Sequence, residues 1–183
     1  MEDPQFDART KGVPHAAGAV RLSEIGAKGW RLLTEDLPLP VAVLRDSALS
    51  ANSRWMQAFA AQAGARLAPH GKTTMSPELF ARQMADGAWG LTVATVPQMR
   101  VALAAGVRRI FLANQLVAAQ DIDAVLAVLQ AEPAPEIFVL ADSLEGVRRL
   151  SAGAVGRPHR PLNVLVEIGY AGGRAGCRSA AAA

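Results

Sequence analysis

RLAPHGKTTMSPELFARQMADGAWGLTVATVPQMRVALAAGVRRIFLANQL, residues 66 to 116, runs through one structural pattern twice and opens it a third time. RLAPHGK (Arg66 to Lys72) reads as a strand. Ser76-Pro77-Glu78 reads as a helix start, with a hydroxyl to cap the first turn and a proline whose missing N–H costs nothing there. That helix ends near Gly87. WGLTVATV (Trp89 to Val96) is the next strand, PQMRVALAAG (Pro97 to Gly106) a helix with a terminal glycine, and RRIFLAN (Arg108 to Asn114) a strand again. Outward from this stretch, VAAQDIDAVLAVLQ (Val117 to Gln130) and SLEGVRRLSAGA (Ser143 to Ala154) continue as helices, EIFVLAD (Glu136 to Asp142) and LNVLVEIG (Leu162 to Gly169) as strands. Strand starts near 66, 89, 108, 136 and 162 lie roughly 19 to 28 residues apart, the length of a strand, a helix and two short loops. Strands rich in Val, Ile, Leu and Phe that alternate with helices make a parallel sheet covered by helices.

Upstream, residues 1 to 37 carry Gly, Pro and charge without sustained periodicity and read as an N-terminal arm, with a short helix near Ser23 to Leu33. VAVLRD (Val41 to Asp46) is a short strand or an extended lead-in. Asp46 or Ser47 can cap a helix from Ala48 to about Ala63, which Gly64 ends. Periodicity leaves two architectures even. An open doubly wound sheet closes with five strands, whereas a (β/α)8 barrel needs roughly 250 residues. The chain stops about 14 residues after the fifth strand, in GGRAGCRSAAAA, and this low-complexity tail leads to the expectation of an incomplete product.

Composition narrows the function classes. With 51% apolar and 19% charged residues, the 183-residue chain can bury a core, which excludes global disorder. The net charge of +3 is scattered as pairs such as Arg108-Arg109 and Arg148-Arg149, with no basic stripe and no interleaved aromatics, so no nucleic-acid partner is expected. No stretch reaches the roughly 18 to 20 apolar residues of a membrane span, and MEDPQFDARTKG lacks the basic-then-apolar form of a signal peptide. A cytoplasmic location without membrane contact is the expectation. Cys177 stands alone, with no intramolecular disulfide, no cluster at zinc spacing and no histidine placed to activate it. GGRAG (Gly172 to Gly176) lacks the lysine of a phosphate loop and reads as a turn bringing Arg174 inward. His15 and His159 read as solvent-facing, and Trp30, Trp55 and Trp89 as packing residues.

Lysines are scarce: Lys11, Lys28 and Lys72 are all there are. Along a strand alternate side chains share a face, which would put Ala68, His70 and Lys72 together with Leu67 opposite. Lys72 would stand at the carboxyl end of the first strand, where parallel α/β folds carry their active sites. Two readings stay open. One is a rim lysine with a solvated head; the other is a desolvated amine with a lowered pKa that attacks carbonyls. His70 likewise either tunes that amine and moves protons or packs as an ordinary histidine.

The quoted stretch closely resembles the first barrel units of the D-threonine aldolase and D-serine dehydratase family, pyridoxal phosphate enzymes of the alanine-racemase-like fold. Pro69, His70, Lys72, Thr73, Thr92, Ala94, Thr95, Val96, Ala113 and Asn114 match its R-P-H-x-K-T-H-K, x-G-x-T-x-A-T-V and I-x-x-A-N-x runs in order and spacing. VEIGYAGGRAGCR, from Val166, resembles its fifth-strand segment V-E-I-D-x-G-x-x-R-x-G. The resemblance covers about residues 40 to 178. It implies the N-terminal part, about five βα units, of a TIM-type (β/α)8 barrel, with a C-terminal β domain absent. The expected organisation is an arm at 1–37, a partial pyridoxal phosphate-binding barrel at 38–178 and a low-complexity tail at 179–183.

Carried over residue by residue, the resemblance makes Lys72 the lysine that holds pyridoxal 5'-phosphate as an imine and His70 its catalytic neighbour. Arg174 matches the arginine that approaches the cofactor's phenolic oxygen. Thr95, Asn114 and Gln115 fall at strand ends, with Thr95 and Asn114 as cofactor-binding candidates and loop-capping hydrogen bonds as the other explanation. Glu167 faces the barrel mouth, where a structural ion pair is favoured over catalysis. Two departures stand out: KTTM puts Thr74 and Met75 where the family has histidine and a second lysine, and Gly169 stands where many aldolase-like members carry Asp. They direct the reading to the deaminase-type branch, a lyase taking D-amino acids with a β-hydroxyl, such as D-serine, to a keto acid and ammonia. The 183 residues alone are expected to be an inactive fragment. A D-threonine aldolase-type retro-aldol lyase and a non-enzymatic cofactor-homeostasis protein are the alternatives. The resemblance further implies a homodimer for a complete protein and allows a divalent metal in a C-terminal domain; none of the residues here is assigned to a metal.

Overall fold

The computed structural model describes residues 3–157, 161–179 and 181. The chain forms two compact units, residues 1–51 and 52–183. In the first, β1 (Gln5–Phe6) pairs antiparallel with β2 (Val20–Arg21), which leads into α1 (Leu22–Ile25). The Asp3 carboxylate accepts from the Ser23 amide at 3.0 Å and hydroxyl at 2.8 Å, which ties the start of the chain to that helix. The helix expected over Ser23–Leu33 is only one turn. It gives way to 3-10 turns at Gly26–Lys28 and Leu32–Thr34, with Gly29 between them at φ 67°. Two-residue strands show no alternation, which is why the β pair was invisible in the sequence. Val13 and Val20 are the buried apolar residues of this unit.

Val41–Arg45 forms neither strand nor helix, and α2 (Asp46–Gln62) starts two residues before the expected position. Asp46 and Ser47 therefore lie inside its first turn, and the Arg45 carbonyl accepts from Ala48 and Leu49. Trp55, expected as a packing residue, stacks on Phe59 at 5.5 Å but remains largely exposed, outside the core.

The second unit follows the strand and helix pattern closely. After α3 (Pro77–Ala85) come β3 (Leu91–Val93), α4 (Val96–Ala104), β4 (Arg109–Gln115), α5 (Ala119–Val128), β5 (Glu136–Ala141), α6 (Leu144–Ala154) and β6 (Asn163–Val166). The four strands form one parallel sheet in the order β3-β4-β5-β6. Ser76, Thr95 and Ser143 are the N-caps of α3, α4 and α6, each accepting from an amide one turn on, as Ser and Thr before a helix should. The first expected strand is reduced to one bridge, His70 to Thr92. Its chain still lies along β3: Leu67 O accepts from Trp89, Pro69 O from Thr92, and Gly71 N donates to Thr92 O, all at 2.8 Å. Pro69 has no N–H for the ladder, which holds the pairing short of a full strand.

One sheet face is sealed. Leu91, Val93, Ile110, Leu112, Ile137 and Val139 pack with Phe80, Met99, Val125 and Leu126 from the helices, all at 0–1% exposure. On the other face Phe111, Phe138 and Leu140 are only half-buried. β6 is exposed along its whole length, because no described helix follows to cover it. No described helix is long and apolar enough to cross a membrane.

Candidate active site

Parallel strands all end on one side, so residues that follow them gather there whatever their sequence separation. His70 and Lys72 follow the first extended segment, Thr95 follows β3, Asn114 and Gln115 close β4, Asp142 follows β5 and Glu167 follows β6. The topology thus brings expected residues from four segments, His70 and Lys72, Thr95, Asn114 and Gln115, and Glu167, to one sheet edge, and adds Asp142 from a fifth. Among the described residues no hydrogen bond or ion pair joins Lys72, His70, Thr95, Asn114 and Arg174 to one another.

Lys72 is not on a strand. Gly71 O accepts from Thr74 N at 3.3 Å and Met75 N at 3.0 Å, closing a turn in which Met75 takes φ 47°. Period-two alternation stops at this turn, so the shared face of His70 and Lys72 does not exist as a strand face. Lys72 is exposed, not desolvated. Its root is nonetheless fixed. Gly71 is buried, and a Cβ there would stand 2.8 Å from both Leu91 Cδ2 and Phe80 Cε1, so only glycine lets the turn lie on the core.

Thr95 and Asn114 have local partners. Thr95 Oγ1 accepts from Gln98 N at 3.4 Å as the cap of α4, and Asn114 Oδ1 accepts from Gln115 N at 3.1 Å. These are the loop-capping bonds weighed as the other explanation for both residues. The main polar cluster of the edge centres on Gln115: its amide Nε2 donates to Asp142 Oδ2 at 3.1 Å and to Glu167 Oε2 at 2.6 Å. Among the described residues Glu167 is thus an acceptor from an amide and not half of an ion pair. Asp142 escaped sequence reading, although a carboxylate just past a buried strand is the same signal that exposed Glu167.

The GGRAG turn is built differently from expectation. Arg174 is exposed, and the guanidinium that folds back into the turn belongs to Arg178, which no sequence signal marked. Cys177 is buried with its Sγ 2.9 Å from Asp142 O. At the opposite end of the sheet, Trp89 packs on Phe138 and lies under Arg66 and Arg109, with Cζ 5.1 and 4.7 Å from its ring. Arg109 also bonds Glu136 and holds its carboxyl below the usual carboxylate range; Trp89 is a packing residue there. His15 is exposed, and His159 lies outside the described residues.

Whether this edge suits the cofactor suggested by the sequence can be tested on its donor set. Lys72 is the only lysine of residues 52–183, so an aldehyde captured in this unit has one amine available, and that amine stands accessible at the strand ends. The lysine end fits.

Residues 45–183 match the family described as alanine racemase, N-terminal domain. The chain is 33% identical over 138 residues to a D-threonine aldolase of an Arthrobacter species, across 75% of this chain and 35% of that protein. The crystal structure of D-threonine aldolase from Filomicrobium marinum matches with a TM-score of 0.70 and 29% identity, covering 78% of this chain and 38% of the other. The chain therefore spans between a third and two fifths of the length of these relatives. The parallel sheet and its helices are the first part of an alanine-racemase-like barrel, which decides between the two architectures that periodicity left even. On the match of residues 45–183, the chain belongs to the alanine racemase N-terminal domain family.

Proposed function

We propose that this chain is the lysine-bearing part of a pyridoxal 5'-phosphate-dependent lyase that acts on D-amino acids carrying a β-hydroxyl group. The observation behind the reading is Lys72, the one lysine of its unit, exposed on a turn at the carboxyl end of the parallel sheet. The cofactor, when bound, supplies an electron sink for charge developing at the substrate Cα. Lys72 would hold the cofactor through its aldehyde, and its amine would serve as the base at the substrate Cα. His70 exchanges protons with that amine. Arg174 would hold the cofactor at its phenolic oxygen, and Thr95 and Asn114 would offer polar contacts from the ends of neighbouring strands.

Elimination of the β-hydroxyl is the first reading, D-serine giving pyruvate and ammonia. Its support is Thr74, Met75 and Gly169 in place of the residues of the aldolase-like pattern. Retro-aldol cleavage, D-threonine giving glycine and acetaldehyde, is the second, favoured by both named relatives being D-threonine aldolases. That reaction begins with the β-hydroxyl proton and requires a base at that oxygen instead of at Cα. Incubation with cofactor and each amino acid, with pyruvate and acetaldehyde assayed in parallel, separates the two. Borohydride reduction with cofactor present, followed by peptide mapping, should place the adduct on Lys72, and Lys72→Ala should abolish it without lowering the melting temperature. An adduct on Lys11 or Lys28 alone would overturn the assignment.

A further inference from the structure

Arg174 lies in a turn whose backbone is held by a single side chain. Arg178 Nη1 donates to Tyr170 O at 2.9 Å and Ala175 O at 3.0 Å, and its Nη2 donates to Gly173 O at 2.8 Å. The carbonyls of Gly173 and Ala175 flank Arg174 on either side. A planar guanidinium with five N–H groups can serve three carbonyls that converge from different directions; an ammonium is a point donor without that spread. Beneath the clamp the two arms of the loop are bonded together. Cys177 N donates to Glu167 O at 2.7 Å, Gly169 N to Cys177 O at 2.8 Å, and Gly173 N to Tyr170 O at 2.9 Å.

The arms touch because two glycines lack side chains. A Cβ on Gly169 would stand 2.1 Å from Ala175 O and 2.8 Å from Arg178 Nη1, and one on Gly176, at φ 85°, would stand 2.5 Å from Gly169 N. The aspartate that the aldolase-like pattern carries at position 169 has no room in this loop. Gly169 therefore permits a closed turn, and Arg178 locks it.

We propose that Arg178 is the positioning residue of Arg174, its guanidinium pinning the carbonyls on both sides of Arg174 so that this arginine meets the cofactor from a preformed turn. The proposal rests on the reading of Arg174 as a cofactor contact. It is tested on the full chain by hydrogen exchange at the Gly173 and Cys177 amides and by borohydride trapping of pyridoxal phosphate on Lys72 at a subsaturating concentration. Arg178→Gln should speed exchange at Gly173 at least tenfold and reduce trapping to the level of Arg174→Ala, with an unchanged melt of the parallel sheet. Arg178→Lys should recover part of both. Unchanged exchange in Arg178→Gln overturns the clamp, and faster exchange with wild-type trapping, where Arg174→Ala lowers it, overturns the positioning role. Should Arg174→Ala itself leave trapping untouched, the cofactor reading of Arg174 fails and takes the positioning role with it, while faster exchange in Arg178→Gln leaves the clamp standing.

Discussion

Replacing Gly71 by alanine tests whether Lys72 depends on a backbone pressed into the core. The backbone of Gly71 is outside the left-handed region, so alanine meets no conformational penalty and only space decides. The new methyl would lie 2.8 Å from Leu91 Cδ2, 2.8 Å from Phe80 Cε1 and 3.1 Å from Phe80 Cζ. Carbon–carbon contacts are optimal at about 3.5–4.0 Å, so both neighbours would have to retreat by roughly 0.7–1 Å. Phe80 and Leu91 are each 0% exposed and packed in the core cluster, so any movement displaces further buried side chains. Overpacking of this kind costs about 1–3 kcal/mol, against about 0.4–1 kcal/mol returned by the stiffer unfolded chain. The two ranges leave a net loss between zero and about 2.6 kcal/mol, and their midpoint, about 1.3 kcal/mol, corresponds to a fall in Tm of about 3–5 °C for a chain of this size. Trapping of cofactor on Lys72 should fall as well, because the displaced Gly71 carbonyl anchors the Thr74 and Met75 amides of the lysine turn. Phe80→Leu removes two of the three clashing atoms, so Gly71→Ala should cost less in that background by about 0.5 kcal/mol or more. A Gly71→Ala chain melting at the wild-type temperature, or strict additivity with Phe80→Leu, would refute the reasoning.

Gln115→Leu should destabilise the chain by about 1–3 kcal/mol, since it removes the one amide that donates to both Asp142 and Glu167; denaturant titration measures it. Glu136 has a folded pKa lowered chiefly by its hydrogen bond from Arg109, so its contribution is full above the ordinary glutamate pKa and is lost as pH falls through the lowered value. The pair is partly exposed, so the acid-side difference between wild type and Glu136→Gln should not exceed about 1 kcal/mol in melts compared at neutral and strongly acid pH. Val164, Leu165 and Val166 are 42–58% exposed along β6, and residues 1–183 should therefore self-associate on gel filtration, with Val164→Lys and Val166→Lys together shifting the population toward monomer.

Local chemistry made most of the second unit legible. Period-two and period-3.6 patterns, Ser76 as a cap, and glycines at helix ends are properties of neighbouring residues, and the helices and β3 to β6 lie within a few residues of where those patterns put them. The order and spacing around Lys72 also sufficed to identify the family, since a motif needs no coordinates. What local pattern left open was everything that depends on a partner distant in sequence. Pro69 has no N–H to give the β3 ladder, the segment pairs by one bridge, and Lys72 lies on a turn closed by the Gly71 carbonyl. Glu167 was visible as a strand-end carboxylate, but its neutral partner Gln115 lies 52 residues away, and only the parallel stacking of β4, β5 and β6 brings them to 2.6 Å. Arg174 and Arg178 carry the same side chain four positions apart. Both are exposed, and only the closed loop brings the carbonyls of Tyr170, Gly173 and Ala175 together around the guanidinium of Arg178.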